Sequence, residues 1–319
     1  MKRLILVLLL CAVGSEVHAN QRDSLLVMFW NVENFFDYVD QGTGESDNEF
    51  SSYGERHWTK SRFYTKCDLV AKSIFCIGEK YGRLPDVIGL AEVENRGVLT
   101  RMLNHTLLRK YDYAVIHKES GDRRGIDVAL LYRKSSVTYL SGSFHTPSLN
   151  GIKLSTRDIL HAEMYLPAKG SIHFIVNHHP SKYGGEKESE HKRAIVMSSL
   201  KVLCDSLKTS GQENIVSMGD FNDTPDSEQF SLLDGVLDNR GLPLHQQGKG
   251  TIRYKGRWEL IDFFLTSGNT GSALMEIFEV PFLMTYDRSY PGYKPLRTYS
   301  GPRYVGGVSD HCPILLWIH

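Results

Sequence analysis

The chain has 319 residues, 41% of them hydrophobic, with 37 basic side chains against 37 acidic ones. That apolar content can fill one large α/β domain or two ordinary ones. The balanced charge excludes a protein that wraps nucleic acid through its overall field, although a local basic groove stays open.

The N-terminus carries Lys2 and Arg3, an apolar run from Leu4 to Val13, and then Val17-His18-Ala19. This order of basic, apolar and small-x-small segments reads as a secretory signal peptide, residues 1–19, cleaved after Ala19. The remainder, 20–319, reads as a single domain exported to the periplasm or beyond. Its net charge is −1, since Lys2, Arg3 and Glu16 leave with the signal. The apolar run is too short to span a bilayer, and no other segment comes close. Cys11 follows Leu10, where a lipoprotein signal needs a small residue, so lipid anchoring there is not expected. Cys67, Cys76, Cys204 and Cys312 remain; their wide spacing lacks a zinc signature and favours buried free thiols, with three disulfide pairings formally open.

Leu25 to Trp30 reads as a buried strand running into Asn31-Val32-Glu33-Asn34-Phe35-Phe36-Asp37, and residues 40–57 read as an exposed loop. Phe63, Cys67, Val70, Ile74 and Ile77 fall at helical spacing between Thr59 and Lys80. Asp86 to Ala91 is a second buried strand, ending in Glu92, and a helix follows with Leu99, Met102, Leu103 and Leu107 inward. Tyr113–His117 and Ile126–Tyr132 read as strands around a polar turn, Lys118 to Gly125, that faces substrate. Asp158–Leu166 and Ile172–Asn177 form a hairpin, followed by a helix from about Glu186 to Leu207. Asn214 to Met218 is a strand that breaks into Gly219-Asp220-Phe221-Asn222-Asp223-Thr224-Pro225, with alternation putting Asp220 and Asn222 on one face. Trp258–Leu265 is a strand with Asp262 inside it, residues 285–307 are a long loop or lid, and Ser309-Asp310-His311 leads into a terminal strand.

One polar residue at a strand end signifies only a turn. Asn31, Glu92, His178, Asp220, Asn222, Asp262, Asp310 and His311 all follow or interrupt apolar strands, and all are of catalytic or ligand type. Converging strand ends build a rigid site, here one suited to water attack on a phosphoester at a hard cation. Glu92 is the natural metal ligand with Asp310 second, and a carboxylate inside an apolar strand, Asp262, needs a partner such as the His311 imidazole. No glycine-rich phosphate loop is present, so nucleotide-dependent transfer is not expected.

Asn31-Val32-Glu33-Asn34, Ala91-Glu92-Val93, Asn177-His178, Gly219-Asp220-Phe221-Asn222, Ile261-Asp262-Phe263 and Ser309-Asp310-His311, in that order, resemble the endonuclease/exonuclease/phosphatase superfamily. The resemblance spans nearly the whole mature chain. It implies an α/β (α+β) four-layered sandwich, two packed mixed β-sheets flanked by helices, deoxyribonuclease-like, with Mg²⁺ or Mn²⁺ as cofactor. It implies Glu92 on the metal with Asn31 and Asp310 close by, Asp220 aligning the attacking water, Asn222 holding the phosphate, and Asp262 paired with His311. The Asn177-His178-His179 sequence departs from the family's Asn-x-His, which would select His179. The following Pro180-Ser181-Lys182 favours His178 by similarity to bacterial extracellular nucleases, as general acid or phosphate contact. Tyr132, Arg157 and His179 match the family's phosphate-facing positions loosely. Lys182, Arg193, Arg253, Lys255, Arg297 and Arg303, interleaved with Tyr254, Tyr293, Tyr299 and Tyr304, are either surface charge or the lining of a phosphate groove.

The implied function is an exported metal-dependent phosphoesterase, monomeric and nuclease-like, acting on a phosphate-ester substrate that includes nucleic acid. A lipid or small-molecule phosphodiesterase or phosphatase on the same site is the alternative. A silent binding module on this scaffold is a third reading, disfavoured because every catalytic residue type is present.

Overall fold

A computed structural model describes residues 24–319 except Thr43, 183–185 and 271–272, and omits the side chains of 186–188 and Asn269. The expected signal peptide, residues 1–19, lies outside the described residues.

Two six-stranded mixed sheets face each other. The first runs Leu274–Ile277, Ile314–Ile318, Leu25–Phe35, Val87–Val93, Asp127–Arg133, Tyr113–His117. The second runs Asp238–Asn239, Asp262–Thr266, Ile215–Asp220, Gly170–His178, Ile159–Leu166, Thr138–His145. Each has a central parallel pair, Leu25–Phe35 with Val87–Val93 and Gly170–His178 with Ile215–Asp220, between antiparallel neighbours.

Strand alternation fills the gap between the sheets with Val27, Phe29, Phe174, Val176, Val216, Met218, Phe264, Ile314 and Leu316. Opposite faces of the same strands meet the helices. Lys60–Tyr81 and Arg96–His105 cover the first sheet through Phe63, Val70, Ile74, Leu99 and Met102. Glu186–Thr209 covers the second through Val196, Met197, Leu200 and Cys204. The result is four layers, as expected, each buried Phe, Leu, Ile or Met contributing about 1.5–3 kcal/mol. Cys67, Cys76, Cys204 and Cys312 are all free thiols. Among the described residues no helix is long and apolar enough to cross a membrane.

Several elements differ from the sequence reading. The segment 40–57 holds a short helix, Glu45–Glu49, and buries Asp47, Phe50 and Ser51, because Asp47 accepts from the Gln41 and Gly42 amides. Leu107 is 56% exposed and Leu108 takes its place inward, since the helix ends at His105 and a 3₁₀ turn shifts the phase. The Trp258–Leu265 run splits into Arg257–Glu259, part of a hairpin with Ile252–Tyr254, and the sheet strand Asp262–Thr266. The expected lid at 285–307 is two hairpins, Met284–Asp287 with Gly292–Pro295 and Tyr299–Ser300 with Arg303–Tyr304.

Two packing details lie beside the strand ends. Gly219 leaves no room for a methyl group: a Cβ there would sit 2.5 Å from the Asn177 carbonyl oxygen on the neighbouring strand. His179 is wholly buried, edge-on to the Phe221 ring at 5.0 Å, with neither ring nitrogen partnered. Burial, helped by the Arg157 charge, pushes its pKa from 6.5 down to about 3.

Gly219→Ala is expected to cost about 1–3 kcal/mol in urea unfolding, because backbone rather than a flexible side chain must move; an unchanged midpoint would refute the contact. For His179 the folded pKa lies below the unfolded one, so the unfolded chain takes up a proton first as pH falls. Stability therefore declines from pH 6.5 downward, by roughly 3 kcal/mol at about pH 4 from this group alone. His179→Leu should flatten that part of the acid limb; an identical pH slope in the two proteins would show that the ring is protonated in the fold.

Candidate active site

The site grows directly out of the rows that fill the gap between the sheets. Leu25, Val27 and Phe29 point into that gap and Asn31 is next in their row. Phe174 and Val176 lead to His178, Val216 and Met218 to Asp220, and Phe264 leads back to Asp262. At one end of the sandwich each row passes from apolar to polar. Asn31, His178, Asp220 and Asp262 are all buried there.

Glu92 belongs to no such row, because alternation would send it outward with Ile88 and Leu90. Its φ of 63° and the register break between Ala91 and Val93 turn the side chain back to the site. Glu33, Asn34 and Asn222, at φ 48°, 48° and 50°, make the matching turns opposite. Asn222 therefore does not share a face with Asp220 through alternation. The strand stops at Asp220, whose Oδ1 accepts the Asn222 amide at 2.9 Å, while Asn222 Nδ2 donates to the His179 carbonyl at 2.9 Å.

Asp220 Oδ2 is the common point. Asn31 Nδ2 donates to it at 3.0 Å, His178 Nε2 lies at 3.6 Å and His311 Nε2 at 3.9 Å. Glu92 accepts from the Asn34 amide at 2.8 Å, and its Oε1 is 3.5 Å from Asn31 Nδ2 and 3.9 Å from His178 Nε2. His311 Nδ1 and Asp262 Oδ2 are hydrogen-bonded at 2.7 Å, and Thr251 Oγ1 donates to the same carboxylate oxygen. Asp310 is tied instead to Arg297 at 3.0 Å, and that guanidinium also bonds Glu33 at 2.7 Å. It reaches the cluster only through His311 Nε2, 3.9 Å away.

Negative charge dominates this small volume. Burial and the neighbouring Asp262 push Asp220 up to about 7, partly offset by His311. Burial and Asp310 push Glu33 up to about 7 as well. Burial works against a charged His311, yet Asp262, Asp220 and Asp310 together hold its pKa well above the usual value. His178 is the opposite case: burial, with Arg157 and Arg124 behind it, keeps the ring neutral. Carboxylates crowded together in this way, with amide oxygen beside them, are the donor set that a hard divalent cation takes. Asp220, Asp262 and His311 also bring ligand atoms within 4.8 Å of one another, so that group too could hold an ion. There the His311 and Asp262 donors are spent on each other, which leaves Glu92, 13% exposed at the mouth, the freer ligand.

Three expected phosphate contacts are corrected. Tyr132 pairs in register with Val87, at the end of the sheet away from Glu92, about 17 Å along the strand. Its ring stacks on Tyr139. Arg157 is buried and donates to the carbonyls of His178 and His179 and to Asp122, so it fixes the backbone behind the histidines. His179 belongs to the core and cannot touch a substrate.

Other residues escaped the sequence reading. Thr251 orients Asp262, and Ser309 Oγ ties the Asn31 carbonyl to the His311 amide. Lys66 is 1% exposed on the Lys60–Tyr81 helix and donates to the Glu33 carbonyl and to Thr298 Oγ1, pinning the turn after Asn31. Its pKa falls to about 8 through burial, which the surrounding acids partly offset. Arg124 stands 3.9 Å from Glu92 on the Lys118–Gly125 turn, which is held by Ser120 to Asp127 and by Asp122 to Arg157. Only a helix position that is apolar by spacing yet reads Lys could have pointed to Lys66.

The profile of the Endonuclease/Exonuclease/phosphatase family matches residues 26–319. No curated protein sequence matches the chain. Among solved structures, truncated TDP2 of Caenorhabditis elegans superposes with a TM-score of 0.59 at 15% identity, over 92% of this chain and 97% of that one. The human Nocturnin catalytic domain gives 0.56 at 15% identity, over 93% and 94%. An endonuclease/exonuclease/phosphatase family protein of Bacteroides thetaiotaomicron gives 0.55 at 16% identity, over 92% and 97%. At such identities these likenesses establish the fold, a deoxyribonuclease-like sandwich, while the profile match covers the sequence itself. With that match running from the first strand to the last residue, this chain belongs to the endonuclease/exonuclease/phosphatase family of phosphoester hydrolases.

Proposed function

We propose that the protein is an exported, divalent-metal-dependent phosphodiesterase of nuclease-like action, with a signal peptide over 1–19 and one catalytic domain over 20–319 working as a monomer. The observation that carries this reading is the meeting of Asn31, His178 and His311 around one carboxylate oxygen of Asp220, within 3.9 Å, with Glu92 alongside. TDP2 of D. rerio, a structural neighbour, is known in complex with a single-strand DNA product, which favours nucleic acid over a lipid headgroup.

Glu92, Asn31 and Asp310 would hold Mg²⁺ or Mn²⁺, which supplies Lewis-acid polarisation of the phosphoryl group when bound. Asp220 orients the attacking water and takes its proton as the new P–O bond forms. His311, kept cationic by Asp262 and Asp220, faces the phosphoryl charge and gives its Nε2 proton to the leaving oxygen as the old P–O bond breaks. Neutral His178 donates Nε2–H to a phosphoryl oxygen. Asn222, at the mouth of the cleft, does the same with its amide.

Glu92→Gln, Asp220→Asn and His311→Ala should each lower kcat on bis(4-nitrophenyl) phosphate and on single-stranded DNA about a hundred-fold or more, with unchanged circular dichroism. EDTA should remove the wild-type activity and Mg²⁺ or Mn²⁺ restore it. Full turnover by all three variants would sink the site; turnover confined to sphingomyelin or inositol phosphates would move the substrate to the small-ester alternative. Protein recovered from its native compartment should begin near Asn20; an intact Met1 would refute export through this signal.

A further inference from the structure

Beside the catalytic cluster opens a cleft of about 980 Å³, bordered on the catalytic side by Asn222, Asp310 and Arg297 and on the far side by Arg253, Tyr254 and Tyr290. Its far wall consists of two hairpins, Ile252–Tyr254 with Arg257–Glu259 and Met284–Asp287 with Gly292–Pro295. The first hairpin is fastened to the catalytic residues themselves. Ile252 bridges His311, Cys312 donates its amide to the Thr251 carbonyl, and Thr251 holds Asp262. Arg253 clasps the second hairpin to the first through Nη1 to the Tyr290 carbonyl at 2.9 Å and Nη2 to the Pro291 carbonyl at 3.0 Å. Gly292, at φ 137°, makes room for that guanidinium, since a Cβ there would stand 2.7 Å from Nη2. Asp287 accepts the Ser289 and Tyr290 amides and pairs with Lys294, which tightens the turn presenting Tyr290.

The clasped wall presents Tyr254 at 62% and Tyr290 at 43% exposure. Lys255 lies with its ammonium 5.2 Å from the Tyr254 ring centre, and Arg253 spends its bonds on neutral carbonyls, so neither is cancelled by its partner. Residues 285–307 carry Arg288, Lys294, Arg297 and Arg303 against one acid, Asp287. Exposed rings interleaved with cations suit a strand of phosphates with bases free to stack. A duplex hides its base faces, and the large exposed side chains of these hairpins are tyrosines with no aliphatic residue among them, unlike a lipid-inserting surface.

We propose that this cleft is a strand-binding subsite in which Tyr254 and Tyr290 stack bases of a single-stranded polynucleotide whose neighbouring phosphate lies at Asn222 and Asp310. The subsite rests on the reading of the centre as a phosphodiesterase and adds what selects its substrate. It acts on any base sequence, because stacking on tyrosine needs only a ring face.

The test uses the full chain with Mg²⁺ and a fluorescein-labelled, cleavage-resistant phosphorothioate oligothymidylate of about a dozen nucleotides. Tyr254→Ala and Tyr290→Ala should each raise Kd by anisotropy about five- to one-hundred-fold, while the Phe variants bind nearly as wild type. The ratio of kcat/KM on unmodified oligonucleotide to that on bis(4-nitrophenyl) phosphate should fall in the Ala variants and recover in the Phe variants. Unchanged Kd, an equal loss on both substrates, duplex binding as tight as single-strand binding, or tyrosine-dependent binding to phosphatidylcholine vesicles instead of the oligonucleotide would each overturn it. Tyrosine-dependent binding by a wild type that cleaves no phosphodiester would uphold the subsite and fail the catalytic reading, so the two stand or fall separately.

Discussion

The Asn31 amide donates to Asp220 across the space between the two sheets, and the site depends on that bond. Asn31 ends an apolar row on one sheet and Asp220 ends one on the other, so their contact is possible only where the sandwich keeps its usual spacing of about 10 Å and the rows run out together. His178 and Asp262 stand at the same level on strands flanking Asp220. The core and the catalytic cluster are therefore one structure with two compositions: the same alternation that buries Phe29 and Met218 delivers Asn31 and Asp220 at the rim.

Regular strands alone would not complete the cluster. Glu92, Glu33, Asn34 and Asn222 all take the left-handed backbone region, which costs of order 1 kcal/mol or more for a residue with a side chain. The surroundings compensate at each turn. Glu92 receives the Asn34 amide, Lys66 holds the Glu33 carbonyl, and Asn222 is fixed between Asp220 and the His179 carbonyl. Strain collects where side chains must leave the strand pattern to reach a common point, which is also where the chemistry is proposed.

Electrostatics follow the same geometry. Acids brought together by topology raise one another, as with Asp220 beside Asp262 and Glu33 beside Asp310, and the cations that balance them are few and individually placed. Arg297 spans Glu33 and Asp310, and Lys66 lies beneath the turn. Arg124 is carried to Glu92 by a loop that Arg157 and Asp127 hold in place. Arg253 has a different task at the edge, joining two hairpins into the wall that faces the rim.

The strands, the helices and most of the rim residues were legible in the sequence because each follows from a local rule. Period-two rows end in polar residues, and Phe63, Cys67, Val70, Ile74 and Ile77 keep helical spacing. The order of the short motifs also sufficed to name the family. Which residues face one another was not legible, because contact across a sandwich joins positions such as Asn31 and Asp220, 189 residues apart. Adjacent histidines read alike in sequence, yet alternation places His178 at Asp220 while His179 falls into the core against Phe221. Tyr132 and Arg157 looked suitable by residue type, but sheet register put one at the far end and burial put the other behind the site. Sequence determined what each strand could carry to its end; only the packing of two sheets decided which ends meet, since that depends on register and backbone turns no local pattern encodes.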